Sequence, residues 1–63
     1  MNRIEHIKAL LEAGKAGISI DFFGEQVRIL QIGMFNDVIP GHVRFEFELE
    51  GGNILKFKEY NWE

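Results

Sequence analysis

The sequence predicts an α+β domain in which one N-terminal helix packs on a four-stranded antiparallel sheet made of two β-hairpins. Apolar residues recur at helical spacing near the start, and residues 17–29 and 43–58 alternate between apolar and polar on both sides of glycine-containing turns. A helix with one apolar stripe and a sheet with one apolar face bury both by packing together. We therefore expect residues 1–63 to form a single small domain.

The predicted helix occupies the first part of the chain. Its apolar residues fall on one face: Ile4, Ile7, Leu10 and Leu11. Asn2, followed three residues later by Glu5, resembles a capping box and predicts the start. Gly14 is predicted to cap the end. A helix of about 11 residues is marginal alone, so it is expected to lie on the sheet.

The first predicted hairpin joins strands near 17–23 and 26–33 through a type II′ turn at Gly24-Glu25. This turn gives the following cross-strand neighbours: Phe22 with Val27, Ile20 with Ile29, and Asp21 with Arg28. Beyond Ile29 the alternation breaks at Leu30, which indicates either a bulge or a strand covered on both faces.

The second predicted hairpin joins strands near 42–50 and 54–61 through a three-residue loop centred on Gly52. Apolar and charged pairs favour this register: Leu49 with Leu55, Phe47 with Phe57, Glu48 with Lys56, and Glu46 with Lys58. A two-residue Gly51-Gly52 turn would oppose apolar to charged residues. A simple meander is the expected strand order.

Composition narrows the classes of function. A net charge of −3 disfavours duplex nucleic acid, because such affinity comes from Lys and Arg. The absence of cysteine and the wide separation of the two histidines predict no metal site and no cofactor. No apolar run is long enough for a membrane span, and the charged N-terminal residues are not those of a signal peptide. A cytoplasmic protein with no membrane association is expected.

The segment 33–42 carries apolar residues next to turn residues, and four of them are the predicted partner-binding set: Met34, Phe35, Val38 and Ile39. Such residues either close an open end of the core or contact a partner. We expect about half of these residues to close the core and the other half to contact a partner, with Phe35 and Ile39 exposed. A chain this short without disulfides also favours homo-oligomerisation.

A second candidate site consists of basic and aromatic residues that share one strand parity: Arg44, Lys58, Tyr60 and Trp62. Such residues can stack on and pair with a nucleotide. Glu46 and Glu48 lie among them, which weakens this interpretation. Alternatively, Tyr60 and Trp62 fold over the sheet edge or pack on a neighbouring subunit.

The sequence gives little support for a catalytic site. Neither His6 nor His42 has a nucleophile at a suggestive spacing, and Glu46 and Glu48 lie roughly 13 and 20 Å from His42 along a strand. The glutamates at 46, 48 and 50 are better explained as a charge ladder, with Glu50 lacking an evident partner.

The sequence therefore predicts a small non-enzymatic binding module, an inhibitor or adaptor, whose partner is another protein or a second copy of the chain. The alternative is a protein that sequesters a small ligand, such as a nucleotide, in a site between subunits.

Overall fold

The computed structural model describes residues 3–59, which form one helix and five strands. The helix α1 spans Arg3–Ala16. The strands follow in chain order: β1 Ile20–Phe22, β2 Glu25–Val27, β3 Ile29–Asn36, β4 Val43–Leu49 and β5 Ile54–Glu59. The α+β class is confirmed.

The strands form two antiparallel sheets, not the predicted single sheet of four strands. β1 and β2 form one hairpin, and β3, β4 and β5 form a meander in that order. The predicted strand 26–33 is divided at Arg28, because β2 pairs with β1 whereas β3 pairs with β4. Residues 29–36 continue as one strand, so part of the segment 33–42 is sheet.

The core lies between α1 and one face of the three-stranded sheet. Its buried members are Ile7, Leu10, Ile29, Val43, Phe45, Phe47 and Leu49. The alternation of β4 is confirmed, because its four odd-numbered residues are buried and its even-numbered residues lie on the other face. That other face carries no helix among residues 3–59.

The glycine that ends the helix lies three residues later than predicted. Gly14 lies inside α1, and Gly17 provides the left-handed residue that ends it, with φ of 69°. Ile18 N–H donates to the Ala13 carbonyl oxygen at 3.0 Å, which is the bond of a Schellman motif with Gly17 as its left-handed residue. Asn2, the predicted cap at the other end, lies outside the described residues.

The second hairpin has the predicted three-residue loop, but the loop is centred on Gly51. Leu49 N–H donates to the Asn53 carbonyl oxygen at 2.8 Å and closes the loop. The predicted β4–β5 pairs are wrong, because each β4 residue pairs with the β5 residue two positions before the predicted one. The observed pairs include Phe45 with Phe57, Phe47 with Leu55, Glu46 with Lys56, Arg44 with Lys58, and Glu48 with Ile54. Both loop glycines have φ of 93°, a conformation that glycine adopts at little cost.

The first hairpin is also displaced from the predicted register. Its turn residues are Phe23 and Gly24, both with positive φ, as a type I′ turn requires. The observed pairs are Ile20 with Val27, Asp21 with Gln26, and Phe22 with Glu25. Arg28 therefore does not face Asp21. Of the two alternatives predicted beyond Ile29, the structure shows the bulge, because the β3–β4 register shifts between Ile29 and Gln31.

The helix α1 has 14 residues, and none of the helical structure in residues 3–59 has the length and apolar character required to cross a membrane.

Candidate functional site

The four residues of the predicted partner-binding set lie at one end of β3 and in the loop that follows it. Met34 and Phe35 belong to β3, whereas Val38 and Ile39 belong to the loop between β3 and β4. All four are exposed: Met34 to 57%, Phe35 to 43%, Val38 to 94% and Ile39 to 53%. We call these four residues the apolar edge patch. The predicted exposure of Phe35 and Ile39 is confirmed, whereas the expectation that about half of the four close the core is wrong, because none of them is buried.

The Phe35 ring lies on the sheet face that α1 does not cover. Arg44 is its cross-strand neighbour, and the guanidinium carbon lies 4.9 Å from the ring centroid. The ring also lies over Gly33, where an added Cβ would come within 2.8 Å of it. A cation–π contact at an exposed site contributes about 0.5–1 kcal/mol, so Phe35 is held in place while part of its surface stays open.

The loop after β3 is ordered by its own backbone. Asp37 N–H donates to the His42 carbonyl oxygen at 2.9 Å, and His42 N–H donates to the Ile39 carbonyl oxygen at 3.1 Å. Val38 N–H donates to Asp37 Oδ1 at 2.8 Å. These bonds fix the loop backbone, so the Val38 and Ile39 side chains are presented to solvent by a defined turn.

Leu30, which the sequence argument did not include in the candidate surface, extends the exposed apolar area along β3. It is the residue displaced by the bulge, and it is 60% exposed. A residue extruded at a bulge loses its place in the alternation. In the sequence, the break in alternation at Leu30 indicates an irregular strand, but it does not indicate that Leu30 is exposed.

The second candidate site is partly assembled. Arg44 and Lys58 are direct cross-strand neighbours, and with Arg3, Lys56 and Phe57 they line an open groove of about 420 Å³. We call this the basic groove. The other two predicted residues, Tyr60 and Trp62, lie outside the described residues. Like charges opposite each other are unfavourable in a sheet, so a bound anion would relieve repulsion here.

Arg3 connects the start of α1 to the end of β5. Its Nε forms an ion pair with Glu59 Oε1, and its Nη2 donates to the Lys58 carbonyl oxygen. Glu59 is buried and pairs with Val43 across the sheet. Sequence spacing could not reveal this contribution of Arg3 to the groove, because 55 positions separate it from Lys58.

The predicted carboxylate ladder is rearranged. Glu46 faces Lys56 across the sheet. It also forms an ion pair with Arg44, and the distance from Arg44 Nε to Glu46 Oε2 is 3.5 Å. Glu48 faces Ile54 instead of a lysine. Glu50, for which no partner was evident, accepts a hydrogen bond from Arg28 N–H at 2.8 Å. Within residues 3–59, no group of three metal-ligating side chains converges.

The histidines are placed apart. His6 on α1 meets the Phe57 ring edge-on, with centroids 5.8 Å apart. His42 immediately precedes β4 and is half-buried. His42 lies four and six positions before Glu46 and Glu48 on an extended segment. Their Cα atoms are therefore still expected to lie roughly 13 and 20 Å from that of His42.

No family model matches this chain, and neither a curated protein nor a solved structure shows significant similarity to it.

Proposed function

We propose that this chain is a small non-enzymatic binding module of the cytoplasm that acts as a homo-oligomer and contacts protein through the apolar edge patch. The observation that carries the proposal is that four exposed apolar side chains lie at one end of β3 and in its loop, with Met34 and Phe35 on opposite faces of the strand. Exposed apolar surface concentrated in one region is typical of contact sites. An inhibitor or adaptor role follows if the same surface also binds a different protein.

The proposal is supported because the apolar edge patch is both ordered and exposed. Phe35 is held by Arg44 and Gly33, and the loop backbone is held by its own hydrogen bonds. A preorganised surface loses little conformational entropy when a partner binds, so more of the apolar contact contributes to affinity.

The test uses two separate variants, Phe35→Glu and Ile39→Glu, with Phe23→Glu as the matched control. Phe23 is 92% exposed in the distant β1–β2 turn. The quantities measured are molar mass by light scattering and fold by circular dichroism. We expect both patch variants to stay folded and to lose self-association, whereas the control keeps the wild-type mass. Two folded patch variants that associate as the wild type does would contradict the assignment of this surface.

A second candidate function is the sequestration of an anionic small ligand, such as a nucleotide, by the basic groove. The specific observation that favours it is the direct opposition of Arg44 and Lys58 beside Lys56. Among residues 3–59, neither lysine forms an ion pair. Titration calorimetry with mono-, di- and triphosphate nucleotides tests the idea; affinity should increase with phosphate number and decrease with salt. If no nucleotide gives a measurable heat of binding, sequestration of nucleotides by the basic groove is excluded.

A further inference from the structure

We propose that β3 pairs antiparallel with β3 of a second copy of this chain, so that two three-stranded sheets become one continuous six-stranded sheet. The inference rests on the proposed function and specifies its geometry: the partner is the same chain, and the contact is made by main-chain hydrogen bonds along a sheet edge.

Among the described residues, one edge of β3 is open. The strand pairs with β4 on one side, and within residues 3–59 no strand pairs with its other side. The edge is eight residues long. Unpaired N–H and C=O groups along such an edge form a template for another strand.

The two edge strands of the three-stranded sheet differ in charge. β3 contains no charged residue, whereas the opposite edge strand β5 carries Lys56, Lys58 and Glu59. Proteins commonly protect exposed edges with charged residues, and lysine is the commonest of them. β5 has this protection and β3 lacks it. Pairing two copies of β3 brings no like charges together, which makes the strand compatible with itself.

The pairing of β3 with β4 fixes which main-chain groups of β3 face the open edge. Asp37 N–H donates to the His42 carbonyl oxygen. Because hydrogen-bonded and non-bonded pairs alternate along an antiparallel ladder, Phe35 and Gly33 direct their main-chain groups toward β4. The N–H and C=O of Ile32, Met34 and Asn36 therefore point to the open edge.

These outward groups define a two-fold register centred on Met34. In it, Met34 faces Met34 of the partner subunit, and Phe35 faces Gly33 of the partner subunit. A register centred on Ile32 instead runs the pairing through the bulge at Leu30.

The absence of cysteine from the chain gives a direct test by disulfide trapping. In the proposed dimer, the two Met34 Cα atoms lie about 5.5 Å apart, within the range that a disulfide spans. We would compare Met34→Cys with Ile54→Cys under mild oxidation. Ile54 is a matched control, because it lies at the start of β5 and has an exposure of 53% against 57% for Met34.

We expect Met34→Cys to form covalent dimer at least about tenfold faster than Ile54→Cys, because pre-association raises the effective concentration of the thiols. Equal rates, or faster trapping at Ile54, would overturn the edge pairing. Met34→Pro is a second probe: it removes an N–H that faces away from β4, and proline is tolerated at strand edges. A folded Met34→Pro variant should lose the dimer; if it keeps the wild-type mass, the pairing is also wrong.

The results separate this inference from the function on which it rests. If the wild type is a dimer that Phe35→Glu dissociates, but Met34→Cys traps no faster than Ile54→Cys, the apolar edge patch is correct and the β3 pairing is overturned. If Phe35→Glu and Ile39→Glu leave the mass unchanged while Met34→Cys traps efficiently, the edge pairing is supported and the contribution of Phe35 and Ile39 to the contact is contradicted.

Discussion

Gly14 in α1 packs directly against Ile32 in β3: a Cβ added to Gly14 would lie 2.6 Å from Ile32 Cδ1 and 3.4 Å from Ile32 Cγ1. The missing side chain lets the helix approach the sheet closely at this point. Gly14 therefore serves packing inside the helix, and the termination role predicted for it belongs to Gly17.

This contact predicts that Gly14→Ala is coupled to Ile32. Replacing glycine by alanine inside a helix normally stabilises by about 1 kcal/mol. Here we expect a smaller gain or a loss, because the new methyl group displaces Ile32 Cδ1. In an Ile32→Val background, which lacks that atom, the full gain should return. Chemical denaturation of the four proteins in this double-mutant cycle measures the coupling. Additive free energies of unfolding would show that the two residues do not meet as described.

Gly17→Ala should destabilise the protein by about 1 kcal/mol, because an L-residue is strained at a φ of 69°. The added Cβ has open space around it, so the cost comes from the backbone alone. Urea unfolding of Gly17→Ala and Gly14→Ala would compare conformational cost with steric cost. If Gly17→Ala is neutral, Gly17 does not adopt the left-handed conformation that ends α1.

The Arg44–Lys58 opposition predicts that Lys58→Glu stabilises the isolated protein. It replaces a like-charge pair with an opposite-charge pair, a change of about 0.2–1 kcal/mol. Thermal unfolding at low and high salt measures this, and the gain should shrink at high salt because the pair is exposed. A loss of stability at low salt would show that the two side chains do not repel each other. The same substitution should weaken any anion binding in the basic groove.

Glu50→Ala should loosen the junction between the two sheets. The Glu50 side chain accepts a hydrogen bond from Arg28 N–H, and Glu50 N–H donates to the Arg28 carbonyl oxygen at 3.0 Å. We expect a cost of about 1 kcal/mol and faster amide exchange at Arg28, since its N–H loses a protein acceptor. Unchanged exchange at Arg28 would exclude the described bond, and Glu48→Ala, two positions earlier near the end of β4, provides a control.

Strand faces could be predicted from this sequence, but registers could not. In both hairpins the observed pairing differs from the predicted pairing by two positions, as in Phe47 with Leu55 instead of Phe57. A shift of two leaves each side chain on its original face, so alternation cannot detect it. Turn conformation decides the register instead. Phe23 adopts a positive φ that sequence rules assign to Gly or Asn, while its ring packs edge-on against Phe22.

The candidate sites were predictable to different degrees. The exposure of Phe35 follows from an apolar residue close to turn residues, and the structure adds its contact with Arg44. The pairing of Arg44 with Lys58 differs by two positions from the predicted pairing of Glu46 with Lys58. The open edge of β3 could not be foreseen, because it depends on Arg28 dividing a predicted continuous strand between two sheets.

The most direct test of the central claim, that the apolar edge patch joins copies of this chain, is the molar mass of the wild-type protein over a wide concentration range. We predict a mass that rises with concentration toward twice the 7.3 kDa of one chain. A mass that stays at the single-chain value throughout, for protein shown by circular dichroism to be folded, would contradict it.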